Sequence, residues 1–226
     1  MGWSVGNSAH STAGTGTTRT ATLAVTAGQI IVAFAWTNSG QSACAFTYTD
    51  DAAGGGNAWA EADKLTTARP SVISIGKAIA TTTATITITV TGDHTIEWLH
   101  VVAFSHDGGT IPGTVNATNK AASSSSITVT TSVANTLLVG ASDSSGGNPT
   151  VGSGFTFVFG ADVSTVRAMS EYETDLTNSS GSNTVSYTPA TTSQGLIGVA
   201  FDPPAASGVF TKNVFARQAV KRSAFY

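Results

Sequence analysis

One cysteine, six prolines and a charged fraction of only 10% are what this 226-residue chain has least of. A lone Cys44 forms no intrachain disulfide, so nothing covalent staples the fold. Low charge with 41% hydrophobic residues excludes the disordered class, which combines high charge with low hydrophobicity. Glu, Lys, Leu and Arg, the residues of long helices, are scarce. The longest apolar run, Ile30 to Trp36, falls far short of a membrane span. No charged stretch followed by an apolar core opens the chain, and Gly6 breaks the myristoylation pattern after Met1-Gly2. The histidines, His10, His94, His100 and His106, show no metal-ligand spacing. Gly14-Thr15-Gly16 and Gly152-Ser153-Gly154 lack the lysine of a phosphate loop. The expectation is a protein without cofactor.

What is present is Thr, Val, Ser, Gly, Ala and Asn, the composition of half-buried strands and tight turns. Strands are expected near residues 20–26, 29–37, 44–50, 57–63, 71–80, 84–91 and 95–105. A second set is expected near 126–131, 135–142, 154–160, 166–174, 183–188 and 194–202. Ile86, Ile88 and Val90 alternate with threonines, and Phe155, Phe157 and Phe159 form another one-sided row. The runs IIVAFAW and LHVVAF are apolar on both faces. They read as central strands whose second face is covered by a loop, a partner sheet or a neighbouring subunit.

The two sets echo each other. TLAVTAGQIIVAFAW (22–36) returns as ITVTTSVANTLLVGAS (127–142), and TITITVTGDHTIEWLHVVAFS (85–105) as TVSYTPATTSQGLIGVAFDP (184–203). Ala62-Asp63 and Ala161-Asp162 mark further runs between them. A lag of about 100 residues suits two halves of one β-domain rather than a solenoid. The expected fold is all-β: an antiparallel, jelly-roll-like sandwich over 20–203 with similar halves, 20–105 and 126–203. An extended N-terminal arm, 1–19, precedes it and a tail, 204–226, follows.

Candidate chemistry gives way to simpler readings. Ser105-His106-Asp107 cannot form a triad, because neighbours on a strand point to opposite faces. Glu171 and Glu173 lie about 7 Å apart on one strand face, near an inverting glycosidase spacing, but a solvated face explains them. Glu61 and Asp63 read the same way. Asp50, Asp51, Asn57 and Asp63 around Gly54-Gly55-Gly56 could offer oxygens to calcium, yet match no EF-hand spacing. A turn is the simpler account. His100 stands where the second half has Ile197, which suggests a hydrogen-bonded histidine in a core or a subunit contact. Trp36, Trp59 and Trp98 could stack on sugars, though tryptophan in a sandwich is more often core.

Charge is uneven. After Asp202 there are four basic residues and no acidic one, whereas the preceding chain holds six basic against 13 acidic. In the tail, Phe210, Phe215, Phe225 and Tyr226 read as apolar anchors for partner pockets. Lys212, Arg217, Lys221 and Arg222 read as the charges that fix register on acidic patches. An acidic body without a basic stripe argues against nucleic acid.

Several segments together carry a resemblance: Ala-Gly-Gln-Ile-Ile-Val-Ala-Phe, the Gly56-Asn57-Ala58-Trp59 turn, Ile-Thr-Ile-Thr-Val, Val-Val-Ala-Phe-Ser, Asn-Thr-Leu-Leu-Val-Gly-Ala and the closing Gly-Val-Ala-Phe-Asp-Pro. The chain resembles a loosely defined group of phage virion and bacterial surface β-sandwich proteins over about residues 20–203. Ala103-Phe104-Ser105-His106 departs from the Glu-Phe-Ser-Gly such chains often carry there. The resemblance implies a non-enzymatic virion structural protein of a tailed bacteriophage: a capsid decoration or cement protein, a head fibre, or a tail component. Its partners would be other virion proteins and copies of itself in a homo-oligomer, with no nucleic acid and no membrane. It would assemble in the host cytoplasm and reside in the virion. The alternative is an adhesin binding a host receptor or surface glycan.

Overall fold

The computed structural model describes residues 2–37, 40–41, 43–68, 71–144, 150–163, 166–173, 180–188 and 195–205. The strands of the first half are β1 (Trp3–His10), β2 (Thr18–Val25), β3 (Ile30–Thr37), β4 (Phe46–Asp50), β5 (Ala60–Thr66), β6 (Val72–Ile79), β7 (Ala84–Gly92) and β8 (Ile96–His106). Those of the second are β9 (Val115–Ala121), β10 (Ser126–Thr131), β11 (Leu137–Ser144), β12 (Thr150–Val151), β13 (Thr156–Val163), β14 (Val166–Glu173), β15 (Gly181–Thr188) and β16 (Gly195–Phe201). The protein is all-β, and its strand pairs are antiparallel.

Each half is a complete sandwich. The first has a five-stranded sheet, β1-β8-β3-β6-β5, and a three-stranded sheet, β2-β7-β4. The second repeats both, as β9-β16-β11-β14-β13 and β10-β15-β12. The nested pairs β1–β8, β2–β7 and β3–β6 are compatible with a jelly roll; β5 joins β6 rather than closing on β4. The repeated unit is thus a whole two-sheet sandwich, not one sheet of a shared sandwich. Residues expected as an N-terminal arm instead supply β1, which pairs with β8, and the start of β2.

Alternation assigns the layers. In β3, Ile31, Ala33 and Ala35 face the small sheet of the same half, beside Leu23, Ile86 and Ile88. Ile30, Val32, Phe34 and Trp36 face the other way and join Leu137, Val139 and Ala141 of β11 and Ile197, Val199 and Phe201 of β16 in one core. A third core, with Val129, Leu138 and Val185, fills the second sandwich. The order of layers is therefore three, five, five and three strands. The sheet of the other half covers the second face of IIVAFAW and LHVVAF, which is why every residue of β3 is buried.

Register makes the repeat explicit. Phe34 pairs with His100 and Ala141 with Ile197, so His100 and Ile197 are equivalent. Both β5 and β13 shift register at matching places, Glu61/Asp63 and Phe157/Phe159. Asp63 thus corresponds to Phe159 rather than Asp162, and the Ala-Asp pairs are not equivalent. The expected one-sided phenylalanine row does not form: Phe155, which precedes β13, is buried while Phe157 within it is 49% exposed.

Candidate functional site

Polar groups on the two large sheets tie the halves together. Trp36 donates Nε1–H to the Ser142 carbonyl at 3.0 Å, and its ring lies 4.6 Å from that of His100. His100 Nδ1 is 3.1 Å from Ser170 Oγ. It is fully buried, as the sequence suggested, and desolvation, then the charge of His10, hold it neutral by lowering its pKa well below the ordinary value. Thr67 and Ser71 donate to the buried Asp143 carboxylate. Lys120 reaches Asp63 at 2.5 Å across the seam.

The calcium candidates do not converge. Asp50 Oδ1 accepts the Ala52 and Asn57 amides, and its Oδ2 accepts Asn57 Nδ2 and Trp59 Nε1. Burial pushes the Asp50 pKa up, but these donors outweigh it and leave the carboxyl below its ordinary value. Asp51 accepts the Thr87 amide, Asn57 Oδ1 accepts Thr81, and Asp63 holds Lys120. Asp50 is therefore the organiser of the Gly54-Gly55-Gly56 turn. No group of three or more His, Cys, Asp or Glu suited to a metal occurs among the described residues.

Other candidates also resolve. Ser105 Oγ accepts Gln29 Nε2 at 2.9 Å and His106 Nδ1 accepts the Gly108 amide at 2.8 Å, so these side chains do not face each other as a triad. Trp36 and Trp98 are interior. Trp59 is half-buried, stacked on Tyr48 at 5.7 Å. Burial raises the Cys44 thiol to about 11.

Glu171 corrects the expectation of a solvated face. It is fully buried, in the interior of the second sandwich beside Val185. Desolvation lifts its pKa to about 8 against the one Gly152 amide that bonds it at 3.2 Å, with the Glu173 charge adding to the rise. Alternation alone could not reveal this, because it names two faces without saying which is covered.

One opening in the described surface lies where the halves meet. It is a groove of about 590 Å³ between the β8–β9 connection, the β10–β11 turn and the segment after β16. Its wall includes His106, Pro112, Val133, Ala134, Asp202 and Pro204. Asn116 builds one side: its Nδ2 donates to Asp202 at 2.7 Å and to Ser132 at 2.9 Å, and its Oδ1 accepts the Ser132 amide. Trp3 braces the other, donating Nε1–H to the Asn135 carbonyl at 2.8 Å and meeting His106 edge-on at 5.0 Å. Asn135 can turn the chain there because it takes φ 57°, where the first half has Gly28 at φ 89°. Val133 remains 40% exposed in this wall, one of few large apolar side chains left so.

No family model, curated protein or solved structure matches the chain. Geometry and residue chemistry therefore carry the functional reading. Pro203, Pro204 and Ala205, the last described residues, line the groove. The tail anchors Phe210, Lys212, Phe215, Arg217, Lys221, Arg222, Phe225 and Tyr226 lie outside the described residues. The groove combines an apolar wall at Pro112, Val133 and Ala134 with the acidic residue Asp202.

Proposed function

We propose that this protein is a non-enzymatic structural subunit of a virion, that of a tailed bacteriophage, which decorates or cements the capsid or forms part of a head fibre or tail. The observation that carries the reading is the root of the tail. The described part of the acidic, four-layer β body ends at Ala205 on an open apolar groove, and the sequence that follows is basic and aromatic. Such a body is a rigid platform, since the central strands of each large sheet are buried on both faces, and the tail offers anchors and charges for a neighbour. The resemblance to phage virion sandwiches supplies the setting.

The test is binding of the full chain to purified undecorated phage capsids and tails, beside a variant with Phe210, Phe215 and Phe225 changed to Ser. Saturable binding by the native chain, weakened at least tenfold in the variant, supports the reading. No binding to either particle, together with a specific glycan signal lost on Trp59→Ala, would replace it with the adhesin.

A further inference from the structure

The tail contains a repeat of its own. Val209-Phe210, Val214-Phe215, Ala219-Val220 and Ala224-Phe225 recur every five residues. Two positions after the first three pairs stands a cation: Lys212, Arg217 and Arg222. A five-residue spacing keeps one face neither in a helix nor in a strand. In an extended chain, however, an adjacent pair sends one side chain to each face, so every repeat offers an apolar group on either side. The tail thus reads as a series of equivalent short plugs, each an apolar pair followed by a positive charge.

We infer that the seam groove receives one of these plugs from the tail of a second copy of this chain. This rests on the structural-subunit reading above and names the partner surface. The groove supplies an apolar wall at Val133, Ala134 and Pro112, and its lining includes Asp202, whose carboxylate, bonded through Oδ1 to Asn116, is the acidic group to meet the cation. Its volume of about 590 Å³ lies in the range of sites that bury a small ligand, suited to a dipeptide rather than to a whole strand. Charge favours a copy of the same chain, because the body carries 13 acidic against six basic residues and the tail is purely basic. Reach permits docking on a neighbour. The 21 residues after Ala205 span up to ~70 Å when extended, against a radius of gyration of about 17 Å for a body of this size. Four plugs per tail let a single tail engage this groove at more than one register, which raises effective concentration at a growing contact.

The full chain is measured by sedimentation velocity over a range of concentrations, beside Val133→Asp in the groove and the triple Phe210→Ser, Phe215→Ser, Phe225→Ser variant. A labelled peptide of residues 206–226 is titrated into each full-length protein, and thermal melts confirm that each is folded. The expected result is self-association of the native chain, reduced at least tenfold in both variants. The peptide should bind the native chain and the tail variant but not Val133→Asp. Self-association that survives Val133→Asp but not the tail changes would overturn the groove inference and leave the structural reading standing. A native chain that stays monomeric and ignores the peptide would overturn the inference too. If it also fails to bind capsids and tails, the broader reading falls with it.

Discussion

Glu171 and Gly76 occupy the same place in the two halves, since Gly140 pairs with Glu171 as Ala33 pairs with Gly76. In the first half the missing side chain makes room for Tyr48, whose ring would lie 2.8 Å from a Cβ there; its hydroxyl donates to Ser74, which donates to Glu61. In the second half the tyrosine has changed strands: Tyr48 stands opposite Val90, but Val151 stands opposite Tyr187. Glu171 fills the space, and its Oε1 and the Tyr187 hydroxyl have no hydrogen-bond partner among the described residues. The carboxyl ionises near 4.5 in the unfolded chain and only near 8 in the folded one. Between those values the folded state holds the extra proton, so stability falls as pH rises through that window and levels off above it. A shift of this size is worth a few kcal/mol. Glu171→Gln is expected to melt near the native protein at pH 5 and well above it at pH 8, with a flatter pH profile between. Thermal melts across that range check this; parallel profiles for the two proteins would rule the glutamate out as the source.

At the scale of elements, the strands that sequence made legible were those with an apolar face or two. β3, β7, β8, β10, β11 and β16 fall within a residue or two of their expected limits, because burial imposed period-two alternation or a continuous apolar run. The strands it hid are edges. β1 is exposed over most of its length, β9 is a polar VNATNKA, and β12 has two residues. An edge strand is held by ladder hydrogen bonds, which any side chain permits, so its sequence need not alternate. The candidate site was less legible still. Histidine 100 could be placed from its echo, Ile197, but the seam groove arises from three connections distant in sequence, and no local pattern encodes their meeting. The same comparison of echoes shows where the halves differ. Trp36 is matched by Asp143 and Trp98 by Gly195, so bulky groups of the first half have small or polar counterparts in the second. At Gly195 the approach is close: a Cβ there would stand 2.3 Å from Thr67 Cγ2 and 3.4 Å from its Cα. Gly195→Ala must push β16 away from the segment after β5, at about 1–3 kcal/mol. Denaturant titration measures the loss, and a variant as stable as the native chain would show that the seam yields freely.

For the molecule as a whole, the layer order decides how it unfolds. A tandem of independent sandwiches would bury its cores separately and could lose one half first. Here the central core draws on both halves. Without the second half, Ile30, Val32, Phe34, Trp36, Ile73, Ile75, Trp98 and Phe104 would form one exposed apolar face, larger than soluble monomers tolerate. The seam hydrogen bonds from Trp36, Thr67 and Ser71 would lose their acceptors at the same time. Neither half has a stable state that keeps its large sheet wet, so the two are expected to melt together despite having separate outer cores. Trp36→Ala removes a fully buried side chain from the shared layer at a cost of about 3–5 kcal/mol. Because that layer belongs to both halves, the loss should lower a single transition rather than split it. Calorimetry gives the answer directly, through the ratio of van't Hoff to calorimetric enthalpy for the native chain and the variant. A ratio near one in both fits a single four-layer unit, and two resolved transitions in the native chain would mean that the seam is an interface between domains rather than a core.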